Sequence, residues 1–283
     1  MAWLKQRLSQ KEALILPGAF DALSAKLIEL AEFEACYCSG FATSAGAHGL
    51  PDIGLLGLAE MSAHYKRVSD ALTCPLIVDA DTGFGGLLNL ERSLIHLSDI
   101  GIVACHIEDQ CFPKRCGHMS GKSVVSRQEA ISRIKMAVSV GSIDIIARTD
   151  AVAVLGFEEA ITRANLFFES GATAIFIDAP KTRSQIERIP RLCDGPVLFN
   201  AAPIGDAWNP TTAELIDMGY RVVLHPIETL LASANAVLGK LQAIQGGDRI
   251  AGRLIPLDFT ALNSLLKSDS YLLREQQFSL LEE

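Results

Sequence analysis

The stretch 75–109, "PLIVDADTGFGGLLNLERSLIHLSDIGIVACHIED", decides the fold. It opens on a short apolar run, turns through glycines, and continues with apolar residues at helical spacing that stop at Gly101. A second apolar run, "VACHIED" (103–109), follows at once. A glycine just past the last periodic residue is the usual C-terminal signal of a helix. Strand, helix, strand in that order implies two parallel strands joined by a crossover.

The unit recurs in both directions along the chain. Strand candidates are "LILP" (14–17), "ACYCS" (35–39), "PLIVDAD" (75–81), "VACHIED" (103–109), "DIIARTD" (144–150), "TAIFIDA" (173–179), "PVLFNA" (196–201) and "RVVLHP" (221–226). Amphipathic stretches lie between them, several closing on glycine as in "ESG" and "DMG". Eight such units predict a closed (β/α)8 TIM barrel, with a doubly wound open sheet as the alternative. No Pro/Ser-rich linker divides the chain, so residues 1–254 read as one barrel. Residues 255–283 read as a C-terminal helical tail.

The chain has 283 residues, 49% of them hydrophobic, enough to bury a large core. A net charge of −8 without a long basic run argues against nucleic acid and anionic membranes as partners. The N-terminal residues lack the apolar core of a signal peptide, and no apolar run reaches the roughly 18 residues of a membrane span. A cytoplasmic protein is expected. Seven scattered cysteines, an odd number, suit a reducing compartment in which most act as small core residues. Cys36 and Cys38 alternate along a strand and should share one face.

In a parallel barrel the reactive groups sit at the C-terminal ends of the strands. Here those ends carry Tyr37, Ser39, Asp79, Asp81, Glu108, Asp109, Arg148, Asp150, Asp178, Asn200 and His225. Asp79 and Asp81 are two residues apart and point to one side of an extended strand, and Glu108 ends the next. Three hard oxygen donors facing one cavity suit Mg2+, or Mn2+, which keeps several waters and needs only one or two direct carboxylates. The alternative is that Asp79 or Asp81 caps the following helix or braces its turn. Asp109 is expected to face the other way.

A guanidinium at Arg148 can hold a substrate carboxylate in a bidentate fork, or pair with Asp150. Tyr37, Ser39 and the backbone of Gly40 are placed to orient an oxyanion. Asp178 and Asn200 are read as substrate contacts, and His225 as either a substrate contact or a structural hydrogen bonder. About seventeen residues separate the fourth strand from the next helix, against a usual connection of about 2–6 residues. Long glycine-bearing loops over a barrel mouth act as lids. Within this one, Lys114, Arg115 and His118 flank Cys116 and would favour its thiolate for proton transfer.

Taken together and in order, "YCSG", "LPDIG", "DADTGFGG", "HIEDQCFPKRCGHMSGK" and "IIARTDA" resemble the isocitrate lyase/phosphoenolpyruvate mutase superfamily, over about residues 12–240. The resemblance implies a modified TIM barrel, a homotetramer with an exchanged C-terminal helix, and Mg2+ at the Asp79/Asp81/Glu108 set. It implies Asp81 as direct ligand, with Asp79 and Glu108 holding metal-bound waters and Asp52 near by. Tyr37, Ser39 and Gly40 would cradle a substrate carboxylate, Arg148 would clamp it, and Lys114 and Cys116 would ride on a gating loop. The Cys-Gly-His cysteine marks the lyase branch, which includes 2-methylisocitrate and dimethylmalate lyase-like members, as its proton-transfer residue. The implied reaction is Mg2+-dependent cleavage of a 2-hydroxy di- or tricarboxylate to an α-keto acid. Asp178 stands where 2-methylisocitrate lyases have a glutamate, and "NAAPIGDAW" replaces their polar segment, so a smaller, more apolar substrate such as a substituted malate is expected. Oxaloacetate decarboxylation or hydrolysis and phosphonomutase chemistry are the alternatives within the superfamily. A catalytically silent scaffold is the alternative outside it.

Overall fold

The computed structural model describes residues 3–117, 119, 121–203, 210–246, 260, 263–264 and 268–279. Eight parallel strands close into one barrel in chain order. They are β1 (Leu14–Ala19), β2 (Cys36–Cys38), β3 (Leu76–Asp79), β4 (Ile102–Glu108), β5 (Asp144–Thr149), β6 (Ala174–Ile177), β7 (Val197–Asn200) and β8 (Val222–His225). Each falls on a run singled out in the sequence, so the open-sheet alternative is excluded by the β1–β8 pairing.

Helices surround the barrel: α1 (Trp3–Leu8), α2 (Ala22–Leu30), α3 (Gly40–His48), α4 (Leu58–Asp70), α5 (Leu87–Asp99) and α6 (Arg127–Val140). They continue with α7 (Ala151–Val154), α8 (Phe157–Glu169), α9 (Arg183–Leu192), α10 (Thr212–Met218) and α11 (Glu228–Gln245). A further helix, α12 (Ser268–Ser279), lies within the expected tail.

The period of two along each strand sorts the core into two shells. Leu14, Leu16, Ile77, Ala104, Ile146, Ala174, Leu198 and Val222 fill the barrel interior. Their neighbours, among them Cys36, Cys38, Val78, Cys105, Ile107 and Ala147, face the helices and pack on residues such as Met61, Leu94 and Ile134. Cys36 and Cys38 thus share an outward face, and burial pushes the Cys38 thiol up to about 12. None of the seven cysteines is in a disulfide.

The N-terminal helix α1 was not legible in the sequence, yet it closes the bottom of the barrel. Leu4 and Leu8 join the interior cluster, and Asp144 at the start of β5 accepts a hydrogen bond from the Lys5 amide. Among the described residues no helix is long and apolar enough to cross a membrane.

Leu4 is fully buried in this plug. Leu4→Ala should therefore destabilise the protein by about 2–5 kcal/mol, seen as a lower urea midpoint at unchanged slope. A loss under about 1 kcal/mol would show that α1 is dispensable to the barrel.

Candidate active site

Strand parity delivers the polar residues to the mouth. Ile77 faces inward, so Asp79 does too; the same count turns Tyr37, His106, Glu108, Arg148 and Asn200 inward. Adjacent strands then set the pairs: Asp79 lies beside His106, and Glu108 beside Arg148. One cavity is lined by Tyr37, Ser39, Asp52, Asp79, Lys114 and Cys116, with Arg148, Asp178 and Asn200 on its other side.

Asp79 is anchored by two backbone amides. Its Oδ2 accepts from the Gly40 amide at 3.1 Å and its Oδ1 from the Asp81 amide at 2.9 Å. His106 Nε2 lies 2.6 Å from Oδ1 at an angle poor for a hydrogen bond, an electrostatic contact. Burial works to raise this carboxyl, but His106, Lys114 and Arg148 outweigh it and hold it well below the usual range. The Gly40 amide, read from the sequence as an oxyanion donor, is thus given to Asp79. Ser39 Oγ accepts from the Ala42 amide as the cap of α3.

Asp81 and Glu108 behave differently. Burial, reinforced by Asp79 and Asp52 and opposed by Lys114, pushes Asp81 up to about 7. Burial likewise raises Glu108 well above the carboxylate range, against the pull of Arg148. Among the described residues Glu108 Oε1 is buried without a hydrogen-bond partner. Asp81 Oδ1 lacks a well-angled one, although Lys114 Nζ is 2.6 Å away. Six buried carboxylates (Asp52, Asp79, Asp81, Glu108, Asp150, Asp178) face three buried fixed cations (Lys114, Lys122, Arg148). Fully ionised, the mouth is short of positive charge. By charge the set could take up a divalent cation, although among the described residues no group of three or more His, Cys, Asp or Glu side chains is arranged to hold one.

Arg148 makes the pairing with Asp150 that the sequence offered as its alternative role. Its Nε and Nη2 form a fork with Asp150 at 2.9 and 3.0 Å, with Glu108 at 3.3 Å and Asp178 at 3.4 Å, and it still borders the cavity. Asp109 does face away, to Thr149 and Arg163. Tyr37 donates to or accepts from His106 Nδ1 at 2.9 Å, and burial drives its phenol well above 10. Asn200 Oδ1 accepts from the Ala202 amide.

The long β4–α6 loop is a flap tied at its root. Gln110 and Val124 form an antiparallel bridge, and Arg133 of α6 braces the carbonyls of Glu108 and Gln110. Its tip docks on the 49–57 loop: the Cys116 amide donates to the Asp52 carbonyl, and Lys114 Nζ lies 2.5 Å from Asp52 Oδ1. Two of the cations expected to tune Cys116, Lys114 and Arg115, are engaged with carboxylates. Lys114 is turned to Asp52 and Asp81, and Arg115 Nη2 pairs with Glu275 of α12 at 2.7 Å. Cys116 instead borders the cavity beside Phe41, Ala42 and Ile227. His118 lies outside the described residues.

His225 is not brought to the cavity. It shares the outward parity of Val223 and is held between Thr212 and Glu228, the structural hydrogen-bonding role. Two polar side chains buried here passed without a role in the sequence: His106 and Lys122. Parity from Glu108 would have found the first; nothing periodic marks Lys122.

Residues 4–245 match the phosphoenolpyruvate phosphomutase family. The chain is 35% identical to a 2,3-dimethylmalate lyase of Eubacterium barkeri, covering 94% of this chain and 93% of that one. It is 36% identical to a 2-methylisocitrate lyase of Aeropyrum pernix, covering 82% and 76%. A solved oxaloacetate acetylhydrolase bound to 3,3-difluorooxalacetate superposes with a TM-score of 0.82 at 29% identity, covering 98% and 96%.

A Cβ added at Gly117 would lie 1.9 Å from Asp178 Oδ2 and 2.5 Å from Arg148 Nη2. The flap seats only because that residue is glycine. Gly117→Ala should raise hydrogen exchange at flap amides 111–117 by about tenfold or more, with the thermal midpoint little changed, since opening the flap relieves the clash. Unchanged exchange would mean the flap does not rest on these side chains.

Proposed function

The chain belongs to the phosphoenolpyruvate phosphomutase family, within the isocitrate lyase superfamily, and on that premise we propose that it is a carbon–carbon lyase. Its substrate is a 2-hydroxy dicarboxylate of the substituted-malate type, split into an α-keto acid and a second carboxylate. The observation that carries this reading is the Cys116 thiol on the wall of the same cavity as Tyr37, Asp79 and Arg148. The wall beside that thiol, formed by Phe41, Ala202 and Ile227, is apolar. It suits an alkyl-bearing fragment better than a third carboxylate.

Arg148, pre-oriented by Asp150, holds the substrate carboxylate with Ser39 near by. Asp79, Asp81 and Glu108 would hold Mg2+, which when bound would supply Lewis-acid stabilisation of the α-oxygen. The hydroxyl proton passes to Tyr37 Oη as Tyr37 gives its own proton to His106 Nδ1, and Asp79 backs the imidazolium so formed. The carbon–carbon bond then breaks, its electron pair staying on the departing fragment while the α-carbon becomes a ketone. Cys116 gives that carbanion a proton, and the seated flap keeps water away from it. Lys114 fastens the flap to Asp52 and Asp81 and so orders this arrangement.

We place the protein in the cytoplasm as a homotetramer. Exposed Leu23, Leu27 and Leu30 on α2, with Val237, Leu241 and Ile244 on α11, support an oligomer. Likeness to an oxaloacetate acetylhydrolase favours one second reading, hydrolytic cleavage of oxaloacetate at the same site.

The test is a screen of 2,3-dimethylmalate, 2-methylisocitrate, oxaloacetate and phosphonopyruvate with Mg2+, following keto-acid formation and oxalate release. Keto acid from 2,3-dimethylmalate, abolished by EDTA, supports lysis; oxalate from oxaloacetate alone supports the second reading. Cys116→Ser should lower lyase turnover by about a hundredfold or more, the range typical of a general acid. Full turnover in that variant would remove Cys116 as the proton donor.

A further inference from the structure

We propose that Lys122 is a positioning residue for this reaction: it latches the flap so that the Cys116 thiol is presented to the cavity. The inference rests on the lyase reading only for its kinetic consequence. Its geometric content stands apart.

The Lys122 side chain is 2% exposed, and a buried ammonium is tolerated only where acceptors surround it. Two of its donors meet hydrogen-bond acceptors, and a second carboxylate lies within ion-pair distance, so three pieces of chain surround the ammonium. The Gly117 carbonyl of the flap accepts one, Asp150 Oδ1 after β5 lies 2.8 Å away, and Asp178 Oδ2 after β6 lies 3.6 Å away. The bond to Gly117 fixes the peptide that follows Cys116. The two carboxylates fasten that peptide to the barrel. On the other side of the thiol, Lys114 does the same between Asp52 and Asp81. Cys116 is therefore suspended between two buried lysine anchors, one gripping the β3 side of the mouth and one the β5–β6 side.

The latch is separable from the barrel. Without Lys122, Asp150 still keeps its fork to Arg148, and its amide still donates to Asp109. Asp178 keeps Arg148. Only the flap loses its hold, so removing the ammonium frees the thiol without unfolding the protein beneath it.

The experiment measures alkylation of each cysteine by iodoacetamide, peptide by peptide, in the full chain bearing Lys122→Met, Lys122→Arg or, as a surface control, Lys66→Met. Buried Cys38 and Cys105 report barrel integrity in the same sample. Lys122→Met should speed Cys116 alkylation by about tenfold or more while Cys38 and Cys105 stay protected. Lys122→Arg should return it to within about threefold of wild type, and Lys66→Met should change nothing. On 2,3-dimethylmalate, Lys122→Met should lower kcat far more than it raises KM. Wild-type alkylation of Cys116 in a folded Lys122→Met protein overturns the proposal. So does equal labelling of all seven cysteines, which would make Lys122 a stability residue. The alkylation result needs no substrate, so it survives if the wild-type protein proves not to be a lyase.

Discussion

Uncompensated negative charge at the mouth of the barrel is the constraint on which the site depends. Carboxylates buried at the ends of β3, β4, β5 and β6 would repel one another, and each has lost much of its hydration. The chain answers with cations delivered from above. Lys114 and Lys122 come from the flap, and Arg148 comes from the barrel wall. Flap closure and charge balance are consequently one event. Burial first, and neighbouring carboxylates second, push Asp81 and Glu108 up toward the neutral form against these cations.

The barrel makes this arrangement possible by holding its strand ends in register. Interior leucine, isoleucine and alanine side chains fill the lower layers, so the inward row can turn polar only at the top. The pairing of Asp79 with His106 and of Glu108 with Arg148 follows from strand adjacency. Glycine fits where the close approaches demand it. Gly40 lets its amide reach Asp79, since a Cβ there would stand 2.7 Å from Oδ2. Gly117 lets the flap press on Asp178 and Arg148.

The sequence made the barrel legible because β-branched runs and amphipathic helices alternate through eight units. It concealed α3, whose residues "GFATSAGAH" are mostly small and carry no apolar stripe, although Ser39 caps it. It concealed α1 because two buried leucines in six residues make too short a pattern to read as a helix. Within the site, residue type and strand end were enough for Asp79, Asp81, Glu108, Arg148 and Asn200. His225 was grouped with them by its position after an apolar run, but it is one residue out of phase with the inward Leu224. Lys114 and Arg115 were grouped with Cys116 by nearness in sequence, whereas each turns to a carboxylate far along the chain. A loop has no period to reveal such partners.

Calorimetric titration with Mg2+ tests the charge argument most directly. The account predicts one Mg2+ per chain in the wild-type protein, and binding weakened about a hundredfold or more when Asp81→Asn removes one carboxylate of the Asp79/Asp81/Glu108 set from a folded barrel. Absence of a binding heat in the wild type, or undiminished binding in Asp81→Asn, would contradict it.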